Sequence, residues 1–156
     1  MDFIICKVKS NEVYKIDNML TSLIQDERKK YDNNINENYK VRNFYEQYIE
    51  NENMCILVAK GNETILGYVY GFVQDNGSLY NKKVAQLDAL YVKEQYRKNG
   101  IAKNLIKEFI KWAEGKEVAY VELSVCKDNT NAISLYESEG FHIDKVYLRK
   151  ELFERS

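Results

Sequence analysis

Apolar and polar positions alternate along the chain in a way that divides it into short elements. The run Asp2 to Val8 predicts a strand, and Ser10 stands where it can cap a helix. That helix carries Val13, Ile16, Leu20, Leu23 and Ile24 at three- and four-residue spacing. From Gln25 to Lys40 the chain is dense in Asp, Glu, Asn and Lys, which predicts a mobile surface loop. A second helix is expected over Tyr39 to Asn51, with Val41, Phe44, Tyr45 and Tyr48 as its apolar stripe. Next come a strand from Met54 to Ala59, a turn over Lys60 to Glu63, and a longer strand from Ile65 to Gln74. A turn at Asp75-Asn76-Gly77-Ser78 leads to a third strand, Val84 to Val92, so Asn53 to Val92 reads as an antiparallel meander.

Beyond Val92 a polar loop opens a helix with Ile101, Leu105, Ile106, Phe109, Ile110 and Ala113 on one face, followed by a strand from Val118 to Val125. This is a βαβ unit, whose right-handed crossover makes its two strands parallel. A helix over Asn129 to Ser138 precedes a last β-like segment. There Phe141 and Ile143 are odd-numbered while Val146, Leu148 and Leu152 are even, which places a bulge or tight turn at Asp144-Lys145. No repeat or boundary interrupts the pattern. The expectation is one domain over residues 1–156, of α/β (α+β) class, with a mixed but mostly antiparallel sheet flanked by about four helices.

Composition narrows the function classes. At 156 residues the chain buries roughly two thirds of its unfolded surface, enough for a core without disulfides or a structural metal. Apolar runs do not exceed six residues, far short of a membrane span. The N-terminus has no basic segment ahead of a long apolar stretch, so the expected location is the cytoplasm. Cys6, Cys55 and Cys126 are odd in number and far apart in apolar, strand-like runs, which suits buried free thiols; the single His142 is read in the same way. Neither a CxxC pair nor a Cys/His cluster is present, so no metal is expected. Twenty-three basic residues against 24 acidic ones leave a net charge of −1 without a basic stripe, which argues against nucleic acid as a partner.

Two segments carry chemistry. The first runs from Leu87 through Lys103, a strand feeding a basic, glycine-containing loop that opens a helix. A helix start offers unpaired N–H groups and a positive dipole end to an anion, and Gly100 and Ala102 are small enough for close approach to the backbone. Arg97, Lys98 and Lys103 add charge. The loop lacks the GxxxxGK of a P-loop and the GxGxxG of a dinucleotide fold, and taken alone it is equally readable as a plain strand-to-helix turn. The second segment is Asn129 to Phe141, again a helix after a parallel strand.

Together they form RxxGxA, at Arg97, Gly100 and Ala102, followed by NxxAxxLYxxxGF, at Asn129, Ala132, Leu135, Tyr136, Gly140 and Phe141. This pair of motifs, in this order on these elements, resembles the GNAT superfamily of N-acetyltransferases over nearly the whole chain. The resemblance implies that Arg97, Lys98, Asn99, Gly100, Ile101, Ala102 and Lys103 wrap the pyrophosphate of acetyl-coenzyme A. It also implies that Leu90, Tyr91 and Val92 pair with the pantetheine arm, between parallel strands that splay apart, and that Asn129 contacts the cofactor. Asn129 is equally readable as the N-cap of its helix.

The resemblance places Tyr136 where a tyrosine protonates the departing sulfur, although the residue can also simply pack its helix against the sheet. A phenol near ~10 is a weaker acid than a thiol near ~8.5, so it serves best as a hydrogen-bond donor, or with its pKa lowered by the helix start and nearby cations. Asp88 is the sole acid on Val84 to Val92 and the candidate base or amine ligand, with a structural ion pair as the alternative. Glu122 is a weaker candidate base. Backbone amides near Leu90 are the candidate oxyanion donors.

The activity so implied is direct transfer of an acetyl group from acetyl-coenzyme A to a primary amine in a ternary complex. Cys126 has no evident histidine partner for a covalent route. By the same analogy Asp26 to Glu37 and Tyr39 to Asn51 wall the acceptor side, and their Asp, Glu and Tyr side chains suit a small cationic amine. Protein or peptide acceptors and a noncatalytic acyl-coenzyme A binding module remain as alternatives. Oligomeric state is not legible in the residues, although dimers are common in the superfamily.

Overall fold

The computed structural model describes residues 1–75 and 77–153. Its elements are β1 (Ile4–Lys7), α1 (Val13–Lys30), β2 (Met54–Gly61), β3 (Thr64–Val73), β4 (Val84–Val92), α2 (Ile101–Gly115), β5 (Tyr120–Glu122) and α3 (Thr130–Ser138). Single 3-10 turns occupy Ser10–Glu12, Tyr45–Tyr48 and Glu94–Tyr96. The sheet runs β1-β2-β3-β4-β5, antiparallel throughout except for the last pair, which is parallel. The meander, the βαβ unit and the mixed sheet are therefore as the hydrophobic pattern predicts. The turn expected at Asp75 to Ser78 includes Asn76, which lies outside the described residues, as do Glu154, Arg155 and Ser156 of the expected 1–156 domain.

Each face of the sheet is covered by one helix. Val13, Ile16 and Met19 of α1 pack with Tyr45, Val58, Tyr68, Tyr70 and Ala89. On the other face Ile101, Leu105, Ile106, Phe109 and Ala113 of α2 pack with Cys55, Leu66, Val69 and Leu87, and Leu135, Tyr136 and Phe141 lean on the rim of that cluster. Gly71 sets how closely α2 approaches the sheet. A Cβ there would stand 2.4 Å from the Phe109 ring and 2.3 Å from the Gln86 carbonyl oxygen, so only glycine fits.

Four expectations are corrected. First, α1 continues through Lys30 into the stretch read as a loop; Gln, Glu, Arg and Lys are good helix formers, and Arg28, Lys29 and Lys30 favour its C-terminal dipole. No side chain caps the start of α1 itself; the 3-10 turn Ser10–Glu12 that leads into it is closed by the Glu12 carboxylate, which accepts from Lys9 N at 3.3 Å, and not by Ser10. Second, the helix expected over Tyr39 to Asn51 shrinks to one 3-10 turn. Asn43 takes a positive φ of 52°, and the amides of Phe44 and Tyr45 donate to Asp17 Oδ1 of α1, each at 3.2 Å. Among the described residues three α-helices and three 3-10 turns accompany the sheet, roughly the helix content expected.

Third, residues 142–153 join no sheet, and Ile143, Val146, Leu148 and Leu152 are exposed, so the final β-like segment has no partner among the described residues. Fourth, His142 is exposed, and only Cys55 of the three free cysteines is fully buried. No helix among the described residues is long and apolar enough to cross a membrane.

Candidate active site

Strands β4 and β5 pair at only three positions, Val84 with Tyr120, Ala85 with Val121 and Gln86 with Glu122. From Leu87 to Val92 the β4 edge has no partner strand on that side among the described residues, and it leads into the Arg97 to Lys103 loop. Such an edge is a row of unsatisfied backbone groups at the place where the sequence predicts a splayed pair. The opposite edge of this stretch is fixed to β3, with Leu90, Tyr91 and Val92 facing Val69, Tyr68 and Gly67.

The loop is pinned by its own side chains. Asn99 Nδ2 donates to the carbonyls of Tyr96 at 3.0 Å and Arg97 at 3.1 Å. Gly100 caps α2 with a φ of +78°, a conformation costly to other residues, and its carbonyl accepts from Asn104 N and Nδ2. The amides of Ile101, Ala102 and Lys103 thereby start a helix of 15 residues with no partner inside it. Ile101 anchors this turn with a side chain buried in the core. Lys98 also holds a positive φ, of 65°.

The three cations differ in their surroundings. Arg97 donates from Nε to the Val92 carbonyl at 2.8 Å, lies 5.5 Å from the centre of the Tyr91 ring and approaches Asp26 Oδ2 of α1 to 3.8 Å. Lys103 Nζ is 3.6 Å from Glu139 Oε1, at the end of α3, and Lys107 Nζ is 3.0 Å from its other oxygen. The hydrogen bond from Lys107, with the charges of both lysines, holds the Glu139 carboxyl below its ordinary range against the opposing effect of burial. Lys98 has no partner among the described residues.

On the opposite wall, Asn129 caps α3 by accepting from Ala132 N at 3.2 Å. Its N-cap role is therefore observed, and its side-chain NH2 has no protein partner among the described residues. Tyr136 is half-buried, edge-on to Phe141 with ring centres 5.6 Å apart. Burial pushes its phenol up to about 12, opposite to the lowered pKa considered from the sequence. Neither the helix start nor a cation offsets that desolvation.

Asp88 sits at a β-bulge. Tyr70 faces Ala89 and Gly71 faces Leu87, so Asp88 is the extra residue of β4. It is exposed to solvent and makes no ion pair among the described residues, yet partial desolvation raises its carboxyl above the ordinary range. Its charge reaches Tyr45, Tyr68 and Tyr70, whose phenols are pushed up mainly by burial and further by Asp88. Glu122, half-buried, stands opposite Gln86 where the strands part.

Several site contacts carry no sequence signal, because each joins residues distant in the chain. Tyr45 and Tyr68 share a hydrogen bond of 2.9 Å between their hydroxyls. Besides Asp26 on Arg97, Glu27 Oε1 accepts from Cys126 Sγ at 3.2 Å, so the last turns of α1 bridge the loops that follow β4 and β5. Burial first and Glu27 next push the Cys126 thiol up to about 11, with Asp32 and Asp128 adding to the effect.

The parallel pair β4–β5 thus parts just before a glycine-capped helix start, with Tyr136 on α3 and Asp88 on β4. The sequence model of the acetyltransferase (GNAT) family matches residues 19–141, and the chain belongs to that family. It is 31% identical over 94 residues to N-acetyltransferase 8 of Homo sapiens, covering 60% of this chain and 41% of that protein. It is 32% identical over 108 residues to the N-terminal acetyltransferase B complex catalytic subunit NAA20 of Arabidopsis thaliana, covering 68% and 60%. The chain thus spans about two to three fifths of the length of these curated relatives. Among solved structures, the F44R mutant of the BH1408 protein from Bacillus halodurans superposes with a TM-score of 0.85 at 20% identity, over 96% of this chain and 99% of that one.

Proposed function

We propose that the protein is an acetyl-coenzyme A dependent N-acetyltransferase that acetylates a primary amine of a small molecule by direct transfer in a ternary complex. The observation that carries this reading is the unpaired β4 edge from Leu87 to Val92, which runs straight into the glycine-capped start of α2. The residues fit acetyl-coenzyme A. The first amides of α2, with Lys98 and Lys103, offer donors and charge to a pyrophosphate, and the β4 edge offers a ladder to an amide-bearing arm. Bound acetyl-coenzyme A supplies a thioester as the acetyl donor.

The chain's own groups supply the remainder. Asp88 accepts a proton from the ammonium, so that a neutral amine attacks; its raised pKa brings it nearer to the amine than an ordinary carboxylate. Tyr136 donates a hydrogen bond to the sulfur as charge develops there, and backbone amides near Leu90 serve the carbonyl oxygen. The tyrosines around Asp88 favour a cationic acceptor. The proposed location is the cytoplasm, on the strength of three unpaired cysteines, and a homodimer is proposed as the assembly. Neither nucleic acid nor a membrane enters the proposal.

A second reading, acetylation of a protein or peptide N-terminus, is favoured by the similarity to the NAA20 subunit. A noncatalytic binding module would have no use for Tyr136 beside the opening. Thiol release measured over polyamines, aminoglycosides, amino acids and peptides separates the three. Turnover with small amines supports the proposal, turnover confined to peptides favours the second reading, and stabilisation by acetyl-coenzyme A without turnover favours the binding module.

A further inference from the structure

The stretch between Lys30 and Tyr45 contains no helix or strand, and the polar sequence up to Lys40 predicts a mobile loop. One face of α1 nevertheless fastens its backbone. Asp17, Thr21, Gln25 and Arg28 recur at three- and four-residue spacing, so their side chains stand in a row along the helix. Gln25 Nε2 donates to the carbonyls of Asn36 at 3.1 Å and Tyr39 at 3.0 Å, while its Oε1 accepts from Arg28 Nε at 2.6 Å. Thr21 Oγ1 accepts from Val41 N at 2.9 Å and donates to the Asp17 carbonyl at 3.1 Å. Asp17 Oδ1 takes the amides of Phe44 and Tyr45.

Each of these backbone groups meets a partner of the opposite kind, the NH2 of Gln25 facing carbonyls and the oxygens of Thr21 and Asp17 facing N–H groups. A row of helix side chains thus does for this segment what a neighbouring strand does in a sheet. The held segment ends among the rings that sense the Asp88 charge. Tyr45 is fully buried and shares its hydroxyl bond with Tyr68. Phe44, half-buried, meets Tyr45, Tyr48 and Tyr70 edge-on, with ring centres 4.9, 5.4 and 6.2 Å away.

We infer that Thr21 and Gln25 are positioning residues for the amine: by holding the backbone from Asn36 to Tyr45 along α1, they set the ring wall beside Asp88 in place before the acceptor arrives. This rests on the acetyl-transfer reading above. Asp88 attracts any cation, whereas a wall fixed in advance also discriminates by shape, and a segment that is already ordered need not be ordered on binding. The cofactor side is held by other groups. Leu90 to Val92 are paired to β3, and the loop after them is pinned by Asn99 and Asn104. Loosening the row on α1 therefore acts on the amine and not on acetyl-coenzyme A. Asp17 belongs to the same row, but its loss would strand the buried amide of Tyr45, so the two residues nearer the surface are the informative ones.

The test compares Gln25→Met and Thr21→Val, which keep side-chain size and helix propensity but lose the bonds, with Thr21→Ser, which keeps the hydroxyl. Thiol release is measured with the polyamines, aminoglycosides, amino acids and peptides named above, with KM taken separately for the amine and for acetyl-coenzyme A. Amide hydrogen exchange follows Val41, Phe44 and Tyr45, and circular dichroism checks folding. Gln25→Met and Thr21→Val are expected to speed that exchange and to raise the KM for the amine about tenfold, with the KM for acetyl-coenzyme A within about twofold. Thr21→Ser is expected to match the wild type. An amine KM indifferent to both variants overturns the inference, as do equal rises in the two KM values or a Thr21→Ser as impaired as Thr21→Val. Thiol release absent from the wild type with every amine refutes the acetyl-transfer reading itself, and the role of the row with it, an outcome no pattern among the variants can imitate.

Discussion

Replacing Tyr136 with Phe removes one oxygen from the candidate site and little else. The ring keeps its edge contact with Phe141, and the hydroxyl has no hydrogen-bond partner among the described residues, so stability should change by no more than about 0.5 kcal/mol. With the phenol pushed up to about 12 and an ordinary thiol near ~8.5, complete proton transfer to the sulfur is uphill by ~5 kcal/mol. The hydroxyl can contribute only as a donor to sulfur that is becoming charged. A hydrogen bond to a charged group is worth ~1.5–3 kcal/mol, or about 10- to 150-fold in rate. Steady-state thiol release with an accepted amine should therefore show kcat lowered by about that factor, the KM for acetyl-coenzyme A within about twofold, and an unchanged melting temperature. An unchanged kcat would refute the reasoning, and so would a loss confined to KM.

Four other substitutions probe the surroundings. Asn129→Asp keeps an oxygen to cap α3 but replaces the free NH2 with negative charge, so melting should hold while the KM for acetyl-coenzyme A rises several-fold. Gly71→Ala forces a methyl against Phe109 and the Gln86 carbonyl, and urea unfolding should show a loss of about 3 kcal/mol or more. Because Asp88 binds its proton more tightly in the folded chain than in the unfolded one, stability falls as pH rises from about 4 through the raised pKa. Asp88→Asn should flatten that dependence of melting on pH and abolish the acid limb of kcat/KM. Glu139→Gln removes the partner of Lys103 and Lys107; melting should fall, and the additional stabilisation by acetyl-coenzyme A should grow as Lys103 is released to phosphate.

What could be read from the sequence is what local physics determines. The largely apolar run Val84 to Val92 marks β4 residue for residue, and the glycine ahead of Ile101 marks the start of α2. The stripe at Val41, Phe44, Tyr45 and Tyr48 correctly signalled burial but not a helix, because Asp17, more than twenty residues earlier, takes up the amides of Phe44 and Tyr45. Similarly, Val118 to Val125 has the apolar content of a full strand, but only Tyr120 to Glu122 pair, since β4 offers them no more than three positions. The bulge at Asp88 depends on the cross-strand register with Tyr70 and Gly71, which no local pattern encodes.

The proposed cofactor side and the proposed acceptor side differ in the same respect. The first is built from contiguous residues, Leu90 to Lys103, and its distant competitors are Asp26 on Arg97 and Glu139 on Lys103. The Arg97–Asp26 pair is 3.8 Å apart with side chains 38% and 40% exposed, where screening leaves an ion pair worth little, so a pyrophosphate bearing more charge can displace it. The second is assembled from Tyr45 on a turn, Tyr68 and Tyr70 on β3, and Asp88 on β4. Tyr45 and Tyr68 satisfy one another, and Tyr70 donates to Met54 Sδ at 3.6 Å, which leaves Asp88 as the anion those rings face. On the proposed reading, a wall of rings with one raised carboxylate selects for positive charge without specifying shape. The last turns of α1 add Asp26 beside Arg97 and Glu27 beside Cys126, so that helix joins the loops after β4 and β5.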